Sequence, residues 1–116
     1  MHELSIIQGV VDAVRESAIE HGLARVNKVK LVVGKLTAAL PESLCFAFEA
    51  VAVDEMFKDA TLEIEERELC CICTCCQSRF QVNEDYNFIC PQCGHGQADI
   101  ITGRELYIDY FEGDEV

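Results

Sequence analysis

Two Cys-x-x-Cys pairs inside one short stretch, CCICTCCQSRFQVNEDYNFICPQCGHG, constrain this chain more than any other feature. Seven of its eight cysteines (Cys70, Cys71, Cys73, Cys75, Cys76, Cys90 and Cys93) fall there. A disulfide framework spreads its cysteines to tie a whole chain together, whereas tight pairs hold a metal ion. Cys90-Pro-Gln-Cys93-Gly reads as a metal knuckle. Two thiolates three positions apart reach one tetrahedral ion from a tight turn, and the following glycine accepts the backbone angles that the turn demands. The first knuckle reads in two ways, because Cys70/Cys73 and Cys73/Cys76 both have the spacing. Cys73 and Cys76 are preferred, giving C-x2-C-x13-C-x2-C, and Cys70 stands as the alternative ligand. Choosing Cys70 would lengthen the loop and leave Cys76 idle. Four thiolates close a tetrahedron and leave no open position, so the expected ion is a structural Zn(II).

The remaining cysteines, Cys71 and Cys75, are read as spare thiols, and Cys45 as a small buried hydrophobe. His95, after the second knuckle, is read as a bystander rather than a ligand. At 116 residues the chain has room for one small domain or one domain with an appendage, and a metal staple supplements a thin core.

Outside the cysteines the hydrophobic periods alternate between helix and strand. Leu4, Ile7, Val11, Val14 and Ala18 form one helical stripe, which Gly22 is placed to stop. His21, near the end of that helix, reads as a favourable C-terminal cation or as simply solvated. NKVKLVVGKL alternates lysines with Val29, Leu31 and Val33 and predicts a half-buried strand. A second helix is expected from Pro41, carrying Leu44, Phe48 and Val51 inward. ATLEIEERE predicts a second strand through Leu62 and Ile64, and RELYIDYF a third through Leu106, Ile108 and Tyr110. The expected fold is α+β: two helices packed on a small three-stranded sheet, with a zinc-ribbon insertion between the second and third strands. The expected organisation is an α+β part over residues 1–69 plus 101–116 and a ribbon over 70–100.

The formal net charge is -12, from 21 acidic and nine basic residues. Nucleic-acid binding draws most of its affinity from cationic contacts, so this balance argues against it. It suits a cation handler or a basic protein partner. No apolar run approaches the roughly 20 residues needed to span a bilayer, and the start lacks the basic flank of a secretory signal. A cytoplasmic protein is expected, with no membrane partner. No phosphate loop, nucleophile elbow or His-Glu-x-x-His is present, and Glu63, Glu65, Glu66 and Glu68 read as a charged strand face; no enzyme is expected.

The opening Met1-His2-Glu3 carries a second metal chemistry. The α-amine and the amide of His2 close a five-membered chelate, and that amide with Nδ1 of His2 closes a six-membered one. Three nitrogens then occupy three corners of a square, the arrangement preferred by Ni(II) or Cu(II) rather than zinc. The fourth corner falls to the next amide, to Glu3 or to an exchanging ligand, which suits a site that releases its ion. A residue as large as histidine in second place also favours retention of Met1.

MHELSI, the strand ending at Gly34, the PESLCFAFEA helix, the ATLEIEE strand, the ribbon and the closing GRELYIDY together resemble the HypA/HybF family over residues 1 to about 112. That resemblance implies a nickel metallochaperone of [NiFe]-hydrogenase maturation. It places nickel at Met1 and His2 with Glu3 close by, and zinc on Cys73, Cys76, Cys90 and Cys93. It further implies delivery to the hydrogenase large subunit with the GTPase HypB. The added Cys70, Cys71 and Cys75 depart from the family pattern. Long edge strands in so small a sheet leave room for a homodimer or segment exchange. Two other readings share the ribbon: a protein-interaction module without nickel transfer, and a rubredoxin-like iron carrier.

Overall fold

The computed structural model describes residues 2–83 and 85–115, with the side chain of His2 outside the description. The chain packs as two compact units. The first takes in the residues up to Val32, Ala39–Glu65, and those from Tyr107 onward; the second takes in Val33–Ala38 and Glu66–Leu106.

In the first unit, helix α1 (His2–Glu20) buries Ile7, Val10, Val11, Val14 and Ala18, recurring at helical spacing along one face. Leu4, expected on that stripe, is 41% exposed because it lies one turn from the helix start, beyond the covered part. Gly22 ends the helix at φ 73, and the Nδ1 of His21 lies 2.8 Å from the Ser17 carbonyl, capping an otherwise open acceptor. Helix α2 (Pro41–Val51) starts on Pro41, whose missing N–H costs nothing there, and buries Leu44, Ala47 and Phe48. Val51 is only half-buried.

Phe57 closes this core from an irregular turn after α2. It is 1% exposed, meets Phe48 edge to face at 6.3 Å, and carries the Arg15 guanidinium 5.3 Å from its ring centre. Arg15 also pairs with Asp54 at 3.2 Å, so one cation ties the turn to α1 by two contacts.

Strand β1 (Leu23–Gly34) is the middle of a three-stranded sheet, flanked by β2 (Thr61–Arg67) and β6 (Leu106–Glu115). It begins earlier than the lysine alternation suggests, with Val26 already buried. Its lysines face a ladder of partners. Lys28 reaches Glu63 at 3.0 Å and Lys30 reaches Glu65 at 3.3 Å, while both ammonium groups lie over the Tyr110 ring, at 5.3 and 5.8 Å. The Tyr110 and Glu63 side chains hold Lys28 above the ordinary lysine range, and Glu65 does the same for Lys30. Leu106 and Tyr110, expected to point inward, are exposed: β6 is an edge strand, covered by a neighbour on one side only.

In the second unit β3 (Cys70–Cys73) lies between β4 (Arg79–Gln81) and β5 (Ala98–Thr102), antiparallel to both. Cys70 opposes Thr102 while Cys71 opposes Ile100, so Ile101 is the extra residue of a β-bulge. Leu69, Cys71 and Val82 form the core, with Leu36, Phe80, Phe88, Ala98 and Ile100 against it. These three short strands lie between the second and third strands of the first sheet, where the insertion was expected. Gly34 and Leu36 donate to the carbonyls of Glu105 and Gly103 at 2.7 and 2.9 Å. A Cβ on Gly34 would fall 2.1 Å from the Gly103 carbonyl oxygen, so the close approach requires glycine. No described helix is long and apolar enough to cross a membrane.

Truncating Phe57 empties the contact point of both helices. Phe57→Ala is expected to lower unfolding stability by about 3–5 kcal/mol, read by denaturant titration of the metal-loaded protein.

Candidate metal centre

The two Cys-x-x-Cys segments fold into the same backbone shape twice. In the first, the Gln77 N–H donates to the Cys73 carbonyl at 3.0 Å, and the Cys73 N–H donates to Ser78 at 2.9 Å. In the second, the Gly94 N–H donates to Cys90 at 2.9 Å, and the Cys90 N–H donates to His95 at 2.9 Å. The residue after the second cysteine is left-handed in both, Gln77 at φ 62 and Gly94 at φ 76. The second knuckle thus has the glycine that the turn demands, and the first makes the same turn with a glutamine.

Repetition extends to the sulfur atoms. The Cys75 amide lies 3.4 Å from Cys73 Sγ and the Gln92 amide 3.4 Å from Cys90 Sγ. The amides of Ser78 and His95 donate to Cys76 and Cys93 in the same way. Such donors spread the negative charge of a thiolate and orient it toward an ion. The first knuckle adds one more, with Ser78 Oγ 3.2 Å from Cys76 Sγ.

Facing each other, the knuckles bring Cys73 to 3.6 Å from Cys93 and Cys76 to 3.6 Å from Cys90, sulfur to sulfur. All four Sγ atoms lie within 4.8 Å of one another. This donor set, soft, fourfold and closed, fits a tetrahedral thiophilic ion such as zinc. Its electrostatics point the same way. Ser78 donors pull the Cys76 thiol down to about 6, and the amides of Cys76 and Cys75 hold Cys73 low. At Cys93 the His95 amide pulls downward, but burial and the three neighbouring sulfurs push it up to about 12. Without a cation the last thiol keeps its proton; a divalent ion removes that conflict.

Of the sequence-predicted ligands, Cys73, Cys76, Cys90 and Cys93 come together and Cys70 does not. Cys70 sits in β3 between Gln81 and Thr102. Cys71 is fully buried in the ribbon core, where loss of solvent raises its thiol, and Cys75 is exposed on the first knuckle. Cys45 is half-buried on α2 rather than buried, its thiol raised first by desolvation and then by Glu49. Met1 lies outside the described residues, as does the side chain of His2; Glu3 is half-buried in the first turn of α1. The left-handed turn at Gln77 was missed from the sequence, which offered local amides as donors to sulfur without saying which. Backbone groups leave no letter, and only the equal spacing of the two pairs hinted at equal turns.

The family described as "Hydrogenase/urease nickel incorporation, metallochaperone, hypA" matches residues 1–113. The chain belongs to the HypA family. The hydrogenase maturation factor HypA of Moorella thermoacetica is 39% identical over 114 residues, covering 98% of this chain and 100% of that relative. The protein of the same name from Desulfatibacillum aliphaticivorans is 40% identical over 114 residues, covering 97% and 86%. In fold, the chain is similar to the solution structure of the Ni metallochaperone HypA from Helicobacter pylori, with a TM-score of 0.66, 23% identity and 98% of each chain covered. A second HypA solution structure gives 0.71 at 24% identity, covering 97% of this chain and 96% of that one.

The uneven knuckles of this HypA-family chain offer a direct test. A left-handed non-glycine residue costs roughly 1–2 kcal/mol. Gln77→Gly is therefore expected to raise stability by about 1 kcal/mol and Gly94→Gln to lower it by a similar amount, measured as shifts in thermal unfolding of the metal-loaded protein.

Proposed function

We propose that this protein is a nickel metallochaperone that binds Ni(II) at Met1, His2 and Glu3 and supplies it during [NiFe]-hydrogenase maturation. The observation that carries the reading is the family match through residues 1–113, which begins on the Met-His-Glu chelate. The start of α1 at His2 supports it. The first N–H groups of a helix have no intrahelical partner, so the amide of His2 is not required by the helix ladder. The positive end of the helix dipole opposes a bare cation there, while a deprotonated amide and the Glu3 carboxylate offset it.

Zn(II) on Cys73, Cys76, Cys90 and Cys93 supplies charge neutralisation and a cross-link between the knuckles, with no position left for cargo. In this reading the α+β part, expected over 1–69 plus 101–116, carries nickel and the ribbon, expected over 70–100, is a rigid handle; the compact units move Val33–Ala38, residues 66–69 and residues 101–106 to the ribbon side. By family resemblance the recipient is the hydrogenase large subunit, with the GTPase HypB as the accompanying partner, in the cytoplasm. The role is that of a carrier rather than an enzyme.

Nickel titration of untagged, zinc-loaded protein tests the chelate, with intact mass spectrometry to verify Met1 and count metals. One nickel per chain is expected for the native protein, and loss of that site in His2→Ala and in a version extended by one residue before Met1. Equal binding by all three would place nickel elsewhere and overturn the reading. The amine, amide and imidazole must all be free of protons, so nickel affinity is expected to fall as pH drops through the histidine range, about 6.5.

Zinc removal has its own expected signature. Cys90→Ser, or a strong chelator, is expected to abolish slow amide exchange in β3–β5, with the exchange of α1 as the internal comparison.

A further inference from the structure

The two edges of the first sheet are chemically unequal. On β2 two of the three acidic side chains are engaged by β1, Glu63 with Lys28 and Glu65 with Lys30. On β6 four acidic residues, Asp109, Glu112, Asp114 and Glu115, are exposed, and none makes an ion pair or side-chain hydrogen bond among the described residues. Tyr107, 46% exposed, lies beside them. The sheet order puts β1 on one side of β6 and no strand on the other, over a ten-residue strand. Edges are ordinarily protected by charged side chains, proline or a short length; LYIDYFEGDE has only its carboxylates, which repel a like-charged strand and admit a cationic one.

We propose that the free edge of β6, along Tyr107–Glu115, receives an extended lysine- or arginine-bearing segment of another protein as a fourth strand. Strand β1 is the internal precedent. It presents alternate lysines, and β6 already takes both of them over the Tyr110 ring. A strand of like chemistry on the other side meets either Tyr107, Asp109 and Glu115 or Tyr110, Glu112 and Asp114, according to the face its cations take, while its backbone completes the ladder. A second copy of this chain is disfavoured as the occupant, because pairing β6 with β6 sets carboxylates against carboxylates. Nothing in this inference depends on where nickel binds.

The test uses the full zinc-loaded chain and a nine-residue peptide alternating lysine with valine or threonine. Its expected result is saturable binding with slowed amide exchange confined to β6. An analogue N-methylated at alternate residues, unable to complete the ladder, is expected to bind at least about tenfold more weakly, as is the native peptide to Asp109→Lys/Glu112→Lys protein. The milder Asp109→Asn/Glu112→Gln protein should fall between, with an unchanged circular dichroism spectrum showing that the fold is kept. Equal binding of the N-methylated peptide would reduce the effect to bulk charge and overturn the proposal. So would equal binding of a glutamate-alternating peptide, exchange slowed only elsewhere, no binding at all, or self-association that already protects β6.

Discussion

Four sulfur atoms within 4.8 Å cannot all carry charge without a cation among them, and the second unit is arranged around that conflict. Amide donors lower the cost at each sulfur, Ser78 lowers it further at Cys76, and burial with the neighbouring sulfurs still pushes the Cys93 thiol up. The hydrophobic core beside the knuckles is small, centred on Leu69, Cys71 and Val82. A core of that size does not by itself hold two irregular turns face to face, and an ion on the four sulfurs would take over much of what burial does in a larger domain.

The first unit solves a different problem, using one strand as its reference. β1 is sandwiched between two strands, supplies the buried valines, and offers its lysines outward to Glu63, Glu65 and Tyr110. Exposed ion pairs add little singly. Here they sit in a ladder with a shared aromatic ring, which fixes which strand face is outward. Helices α1 and α2 then meet through Phe57 and Arg15, two residues that hold the turn between α2 and β2 in place.

Legibility in the sequence followed periodicity and spacing. The α1 stripe, the start of α2 at Pro41 and the α+β layering were readable because burial repeats with the period of the element. Cys73, Cys76, Cys90 and Cys93 were readable because tetrahedral closure restricts spacing. Phe57 was not, being one aromatic in a polar turn with no period to announce it. Nor was the outward turn of Tyr110: alternation gives two faces to a strand, but an edge strand leaves both partly wet. The preference for Cys76 over Cys70 rested on loop length and on Cys76 otherwise standing idle, and the folded chain agrees: Cys76 Sγ lies 3.6 Å from Cys90 Sγ, while Cys70 is at the far end of β3 from Cys73.

Strand β6 is made last, after the whole ribbon, yet it must lie against β1, made among the first thirty-four residues. Gly34 meets Glu105 across seventy intervening positions, a closure that ordinary chain entropy opposes. During synthesis β1 can gain β2 early and must wait for its other neighbour. A metal ion clasping Cys73 to Cys93 shortens the slack between them beforehand. A ribbon already closed on itself therefore brings β6 to β1 at a smaller loss of chain entropy than an open one.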